Sequence, residues 1–150
     1  MALVWDIEGL KAFDQRPMLV QEYYNHRATV IKTYVCGAKF WKIPIPSLPD
    51  FHSASKPIYF NSQDFKKELP PELTVDYAGS LTVPDDDIVQ VITERLSECL
   101  GLEIFGYDLI QNVDTGEWAV IDVNYFPDFR GAEGFHQALC DLVIQKLERE

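Results

Sequence analysis

The sequence predicts an α+β fold, a mainly antiparallel sheet covered by helices. Three observations point there. Extended β-branched and aromatic runs dominate the first part of the chain, the strongest helical pattern follows only after Pro84, and a hairpin-like pair of apolar runs separates it from a second helix at the end. Strands first, then helix, hairpin and helix is an α+β order, unlike the strict alternation of βαβ units. At 150 residues, 47% of them hydrophobic, the chain can build the core of one domain and is not expected to be disordered.

Each element has its own signal. Ile7–Phe13 reads as a short helix stopped by the turn-prone DQRP. Met18–Tyr24 (MLVQEYY) and Ala28–Gly37 (ATVIKTYVCG) read as strands separated by Asn25, His26 and Arg27, and Lys39–Ile45 completes a hairpin across a Gly-Ala turn. Pro46 to Pro57 reads as a loop, Ile58–Ser62 as a short extended piece, and Lys66–Leu81 as a Pro-broken connection. A helix is expected over Asp85–Leu100. Its acidic start suits the helix dipole, Ile88, Val91, Ile92, Leu96, Cys99 and Leu100 recur at helical spacing, and Gly101 stops it. The last helix, Glu133–Glu148, is expected to bury Phe135, Leu139, Leu142, Val143 and Leu147.

Composition narrows the class. Cys36, Cys99 and Cys140 are scattered, with no CxxC pair, which argues against a zinc site or disulfide framework and for a reducing compartment. The start MALVWDIEGL lacks the basic region of a signal peptide, and no apolar run approaches membrane-spanning length. A cytoplasmic protein is expected, with the nucleus as the other compartment open to it, and no membrane partner. The net charge is −11, yet it is split: nine Lys/Arg against six Asp/Glu through Lys67, then four against eighteen. Such an acidic balance disfavours nucleic acid. The split suits a basic half that meets an anion and an acidic half that holds a metal, although an ordinary solvated acidic surface explains it too.

The chemistry concentrates in the hairpin Leu102–Gln111 and Glu117–Phe126, joined through NVDTG. In AVIDVNYFPDF, Val120, Asp122, Asn124 and Phe126 share one face of a strand. A turn centred on Thr115 places Asp108 opposite Asp122. Directly opposed Cβ atoms lie about 5 Å apart, and two carboxylates there repel by roughly 3 kcal/mol at an effective dielectric of about 20. With Asn124 they form an oxygen trio suited to Mg²⁺. A proton shared between the carboxylates, or one of them reaching solvent at a strand end, is the plainer alternative. Lys32, alone between apolar Val30 and Tyr34, is either a snorkelling edge lysine or a point charge aimed at a phosphate. Gln21 and Glu22 end a strand before a turn, and His26 and His52 read as loop residues.

QEYYNHRATVIKTYVCG, then Pro46-Ser47-Leu48, Phe60–Ser62, FGYDLI and VIDVNYFPDFRG resemble the inositol-tetrakisphosphate 1-kinase family, also called inositol 1,3,4-trisphosphate 5/6-kinases, across nearly the whole chain. The resemblance implies an ATP-grasp fold, incomplete here. Residues 1–36 would be part of the central subdomain and 37–150 the carboxy-terminal one. It implies transfer of the ATP γ-phosphoryl group to an inositol polyphosphate hydroxyl with Mg²⁺ as cofactor. Asp108, Asp122 and Asn124 then match the metal ligands; Gln21, Glu22 and Tyr23 match the adenine pocket, and Ser47 and Ser62 nucleotide contacts. Lys32, Asn124, Arg130 and Gly131 fall on the inositol phosphate side, with Lys32, Asp122 and Asn124 carrying the catalytic roles. No general base is expected, since positioning and charge dominate phosphoryl transfer.

The sequence departs from the family at Ile45, where the family has a basic residue, and at Asp128, where it has glycine. It also begins at a point resembling the inside of the central subdomain, so the family's preceding ATP-binding lysine and substrate histidine are expected to lie outside it. A missing amino-terminal half, or a second copy, would complete the nucleotide clamp. Two other readings stay open: a non-catalytic module or pseudokinase binding nucleotide or a protein, and an ATP-grasp carboxylate–amine ligase.

Overall fold

The computed structural model of the chain describes residues 1–13, 17–51, 57–60 and 82–148. Its elements run β1 (Ala2–Leu3), α1 (Ile7–Lys11), β2 (Thr29–Cys36), β3 (Lys39–Pro46), β4 (Ile58–Tyr59), α2 (Asp86–Leu100), β5 (Ile104–Gln111), β6 (Trp118–Asn124) and α3 (Phe135–Leu147). The predicted α+β class is observed. Four strands form an antiparallel sheet in the order β3-β2-β5-β6, and β1 pairs with β4 in a separate two-stranded ladder that sequence reasoning did not foresee.

The sheet alternates as strands must. Ile31 and Val35 of β2 and Phe105, Tyr107 and Leu109 of β5 form one buried cluster, against which Ile92 and Leu96 of α2 pack. Each such side chain contributes about 1.5–3 kcal/mol through burial. On the other face Tyr34 and Cys36 meet Phe129, Phe135 and Ala138, so α3 covers that face near the β2–β3 turn. Gly37 opens this two-residue turn at φ 60°, a conformation glycine adopts without steric cost. The division expected between residues 36 and 37 falls inside this turn, and β2 bonds to both β3 and β5, so the sheet draws on both sides of it.

Several expectations need correction. Met18–Tyr24 is not a strand, because it has no ladder partner among the described residues; Leu19 is 92% exposed. The helix α2 buries Val89 and Thr93 rather than Ile88 and Val91, a rotation of one position. Its inner face runs Val89, Ile92, Thr93, Leu96, anchored where Tyr107 Oη meets Thr93 Oγ1 at 2.8 Å. Lys42 fixes this roll from β3, pairing with Asp86 and donating to the Pro84 carbonyl at 2.7 Å. In α3 Phe135 and Ala138 are buried and the expected Leu139 and Leu142 pack partly buried against them, whereas Val143 and Leu147 are exposed. Among the described residues no helix is long and apolar enough to cross a membrane. Lys66–Leu81 and Ser62 lie outside the described residues.

Candidate active site

The site grows out of the register. Lys32 on β2 is paired with Asp108 on β5, and Asp108 with Asp122 on β6, so the three side chains share one row on one face. One step along, Tyr34, Gly106 and Asn124 form the next row. Residues of a row point to the same side of the sheet, here the face whose far end α3 covers. At the end carrying the carboxylates, Asp122 is exposed and the Asp108 side chain is 18% exposed.

Asp108 stands opposite Asp122 as predicted, but by a different route. Near the turn the pairs are Gln111–Trp118, Ile110–Ala119 and Leu109–Val120, a ladder centred between Asp114 and Thr115. The register then shifts between Asp108 and Leu109, and Ile121 is the extra residue. Without that bulge Asp108 would oppose Ile121. The bulge also gives Val120 the register position of Leu109, on the α2 face, not the face of Asp122.

Lys32 Nζ lies 3.9 Å from Asp108 Oδ2. Burial pushes the Asp108 carboxyl above the usual carboxylate range; Asp122 raises it further and Lys32 opposes them. Asn124 Nδ2 donates to Asp122 Oδ2 at 2.8 Å, which ties these neighbours together. The donor set is two carboxylates and one amide. Among the described residues no three His, Cys, Asp or Glu side chains cluster as a metal site. Two carboxylates and an amide oxygen suit a hard cation that takes its remaining ligands from phosphates and water.

The predicted nucleotide residues lie at the end of β2, beyond Thr29. Gln21 and Glu22 are exposed, and Glu22 accepts a bond from Tyr24 Oη at 3.1 Å. Tyr23 is a structural residue in this state. Its hydroxyl donates to the Pro49 carbonyl at 2.7 Å, its ring meets His26 and Phe51, and burial holds its phenol in the protonated form well above neutral pH. Ser47 Oγ is 2.9 Å from Nε2 of His26. His26 is not a plain loop residue: it is buried, and its Nδ1 contacts the Tyr24 carbonyl at 2.7 Å. Asn25 adds a reciprocal pair with Phe51, both at 2.8 Å, so a side-chain amide replaces the missing strand partner. The structure thus brings Lys32, Asp108, Asp122 and Asn124 together, joins Tyr23 and Ser47 through His26, and leaves Gln21 and Glu22 exposed beside them in sequence. Lys32 is three residues along β2 from Thr29, about 10 Å.

Sequence reasoning missed Gly106 and Tyr34. A Cβ on Gly106 would stand 2.8 Å from Pro127 Cγ. Glycine therefore lets the segment after β6 fold back onto the sheet, and a glycine inside a strand run is the signal for such a close approach. The fold-back sets Asp128 on Tyr34 and brings Arg130 and Gly131 to the same face, with Gly131 (φ 83°) against Ile43.

The chain matches known proteins over nearly its whole length. A family model described as the inositol 1,3,4-trisphosphate 5/6-kinase ATP-grasp domain matches residues 1–145. Inositol-tetrakisphosphate 1-kinase of Xenopus laevis is 33% identical over 99% of the chain, and that of Danio rerio 32% over 99%. Inositol-tetrakisphosphate 1-kinase 1 of Zea mays is 31% identical over 100% of the chain. The chain spans 39%, 39% and 46% of the length of these three relatives. By a match over nearly its whole length, the chain belongs to the inositol 1,3,4-trisphosphate 5/6-kinase ATP-grasp family.

Proposed function

We propose that the chain is the carboxy-terminal catalytic part of a Mg²⁺-dependent kinase that transfers the ATP γ-phosphoryl group to a hydroxyl of an inositol polyphosphate. One observation carries the reading: Lys32, Asp108 and Asp122 stand in one cross-strand row on one sheet face, with Asn124 hydrogen-bonded to Asp122. Asp108, Asp122 and Asn124 hold Mg²⁺, which when bound offsets charge on the nucleotide phosphates. Lys32 offsets charge on the transferring or acceptor phosphates, and its pairing with Asp108 fixes its direction. The Gln21–Tyr23 and Ser47 region, about 10 Å away along β2, suits the base end of an extended nucleoside triphosphate. No side chain of the row is needed as a general base, because alignment and charge do most of this chemistry. The names of the relatives support a phosphorylated inositol as acceptor over a carboxylate–amine ligase reaction.

The test is transfer itself. The chain is incubated with γ-labelled ATP, Mg²⁺ and inositol tris- or tetrakisphosphate. Label appearing in a more highly phosphorylated inositol supports the reading. Saturable Mg-ATP binding without transfer, when the remaining part of the protein is also supplied, would replace it with a nucleotide-binding module.

A further inference from the structure

The cations assigned to the acceptor side already face carboxylates. Lys32 faces Asp108, and Arg130 Nη2 lies 3.5 Å from Asp128 Oδ2. Asp128 is held from two further directions: its Oδ1 accepts from Tyr34 Oη at 3.1 Å and from the Arg130 backbone N–H at 3.2 Å. These bonds differ in what can move. Phe129, the next residue, is buried at φ 51°, and its ring stacks on Phe135 with centroids 3.7 Å apart. Pro127, the residue before, lies against Gly106. The Asp128 backbone is therefore pinned on both sides, while the Arg130 side chain is 77% exposed. Arg130 is the partner that can leave.

We propose that Asp128 is a specificity-determining residue that stands in for a substrate phosphate. Its carboxylate, fixed by Tyr34, engages the Arg130 guanidinium until an acceptor phosphate competes it away. This rests on the kinase reading, because it concerns the acceptor side of that site. The anion must outcompete a carboxylate already in place, and it must approach a negative charge that stays put after Arg130 has turned. Both penalties grow with the number of phosphates on the ring, so the site favours less phosphorylated inositols. The hydrogen bonds from the Arg130 amide and Tyr34, together with the nearby charges of Arg130 and Lys32, keep Asp128 ionised, so the effect persists across neutral pH.

The test is binding of inositol mono-, tris-, tetrakis- and hexakisphosphate to the chain and to Asp128→Asn, without nucleotide. Asparagine keeps an acceptor for Tyr34 and for the Arg130 amide and removes only the charge, at an exposed position where folding does not depend on it. Affinity is expected to rise by roughly three- to tenfold for the tetrakisphosphate, less for the monophosphate and more for the hexakisphosphate. In an Arg130→Gln background that gain should shrink to the part due to repulsion by the fixed Asp128 charge. Binding that is measurable but equal in the two proteins overturns the role of Asp128 and leaves the kinase reading standing. So does a gain that ignores phosphate number or is undiminished in Arg130→Gln. Absence of binding by both proteins across the series overturns the acceptor assignment as well.

Discussion

Asp108 faces Asp122 across the β5–β6 ladder because Ile121 is one residue too many for a regular hairpin. The bulge re-aims the Asp122 carboxylate, which the turn alone would have placed opposite Tyr107. Bulges next to active sites commonly serve this purpose. Here it sets two acidic groups side by side on a sheet face whose other end is covered by α3, and folding of the metal-free chain bears the repulsion.

That repulsion is open to measurement. The folded-state pKa of Asp108 is raised, so the folded chain binds this proton more tightly than the unfolded one. The associated stability is fully present below the usual carboxylate range and is lost as pH rises through the raised value. Thermal midpoints of the metal-free chain and of Asp108→Asn, compared across pH, should diverge over that window. At neutral pH the variant should be the more stable. A wild-type chain more stable than Asp108→Asn at neutral pH would show that Lys32 outweighs burial and Asp122.

Gly106→Ala tests the fold-back. Its new methyl would meet Pro127 Cγ at 2.8 Å and the Thr33 carbonyl oxygen at 3.3 Å. Relief requires displacing the segment that carries Asp128, at a cost of about 1–3 kcal/mol. Near-ultraviolet circular dichroism should report loss of the Tyr34–Phe129 environment. An unchanged spectrum and stability would refute the close approach.

The roll of α2 is checked by a pair of truncations. Val89 is fully buried and Val91 is 59% exposed. Val89→Ala should destabilise by roughly 1–3 kcal/mol and Val91→Ala by less than about 0.5 kcal/mol in denaturant titrations. The reverse order would restore the face expected from periodicity.

His26→Ala removes both ring hydrogen bonds from the junction between residues 23–27 and 47–51. A loss of about 1–3 kcal/mol is expected, with greater amide exchange at residues joined there, such as Phe51. Unaltered exchange at Phe51 would mean that Asn25, Tyr23 and the Asp50 side chain hold the junction without the His26 ring.

Much of this was legible from the amino-acid sequence. The β2–β3 hairpin and both long helices follow from short-range rules, namely alternation, turn residues and helix stops. What was not legible depends on partners distant in sequence. Met18–Tyr24 alternates like a strand, yet no ladder forms among the described residues; instead the Tyr23 hydroxyl and the Asn25 amide donate to the Pro49 and Phe51 carbonyls, and the His26 N–H donates to the Asp50 side chain. The α2 pattern fits two adjacent faces, and only contacts with Tyr107 and Lys42 choose between them. The bulge at Ile121 left no mark in composition, and the Asp108–Asp122 pair was placed correctly because a misplaced turn centre offset it. Tyr34 read as an apolar neighbour of Lys32 because its hydroxyl partner, Asp128, lies 94 residues away.

The central claim is that this face binds a metal–nucleotide complex through Asp122. Calorimetric titration of Mg-ATP into the chain and into Asp122→Asn tests it most directly. Saturable binding by the chain that is lost in the variant, and lost again when Mg²⁺ is chelated, is the result predicted here. Equal binding by both proteins would contradict it and place any nucleotide site away from the Asp108–Asp122 row.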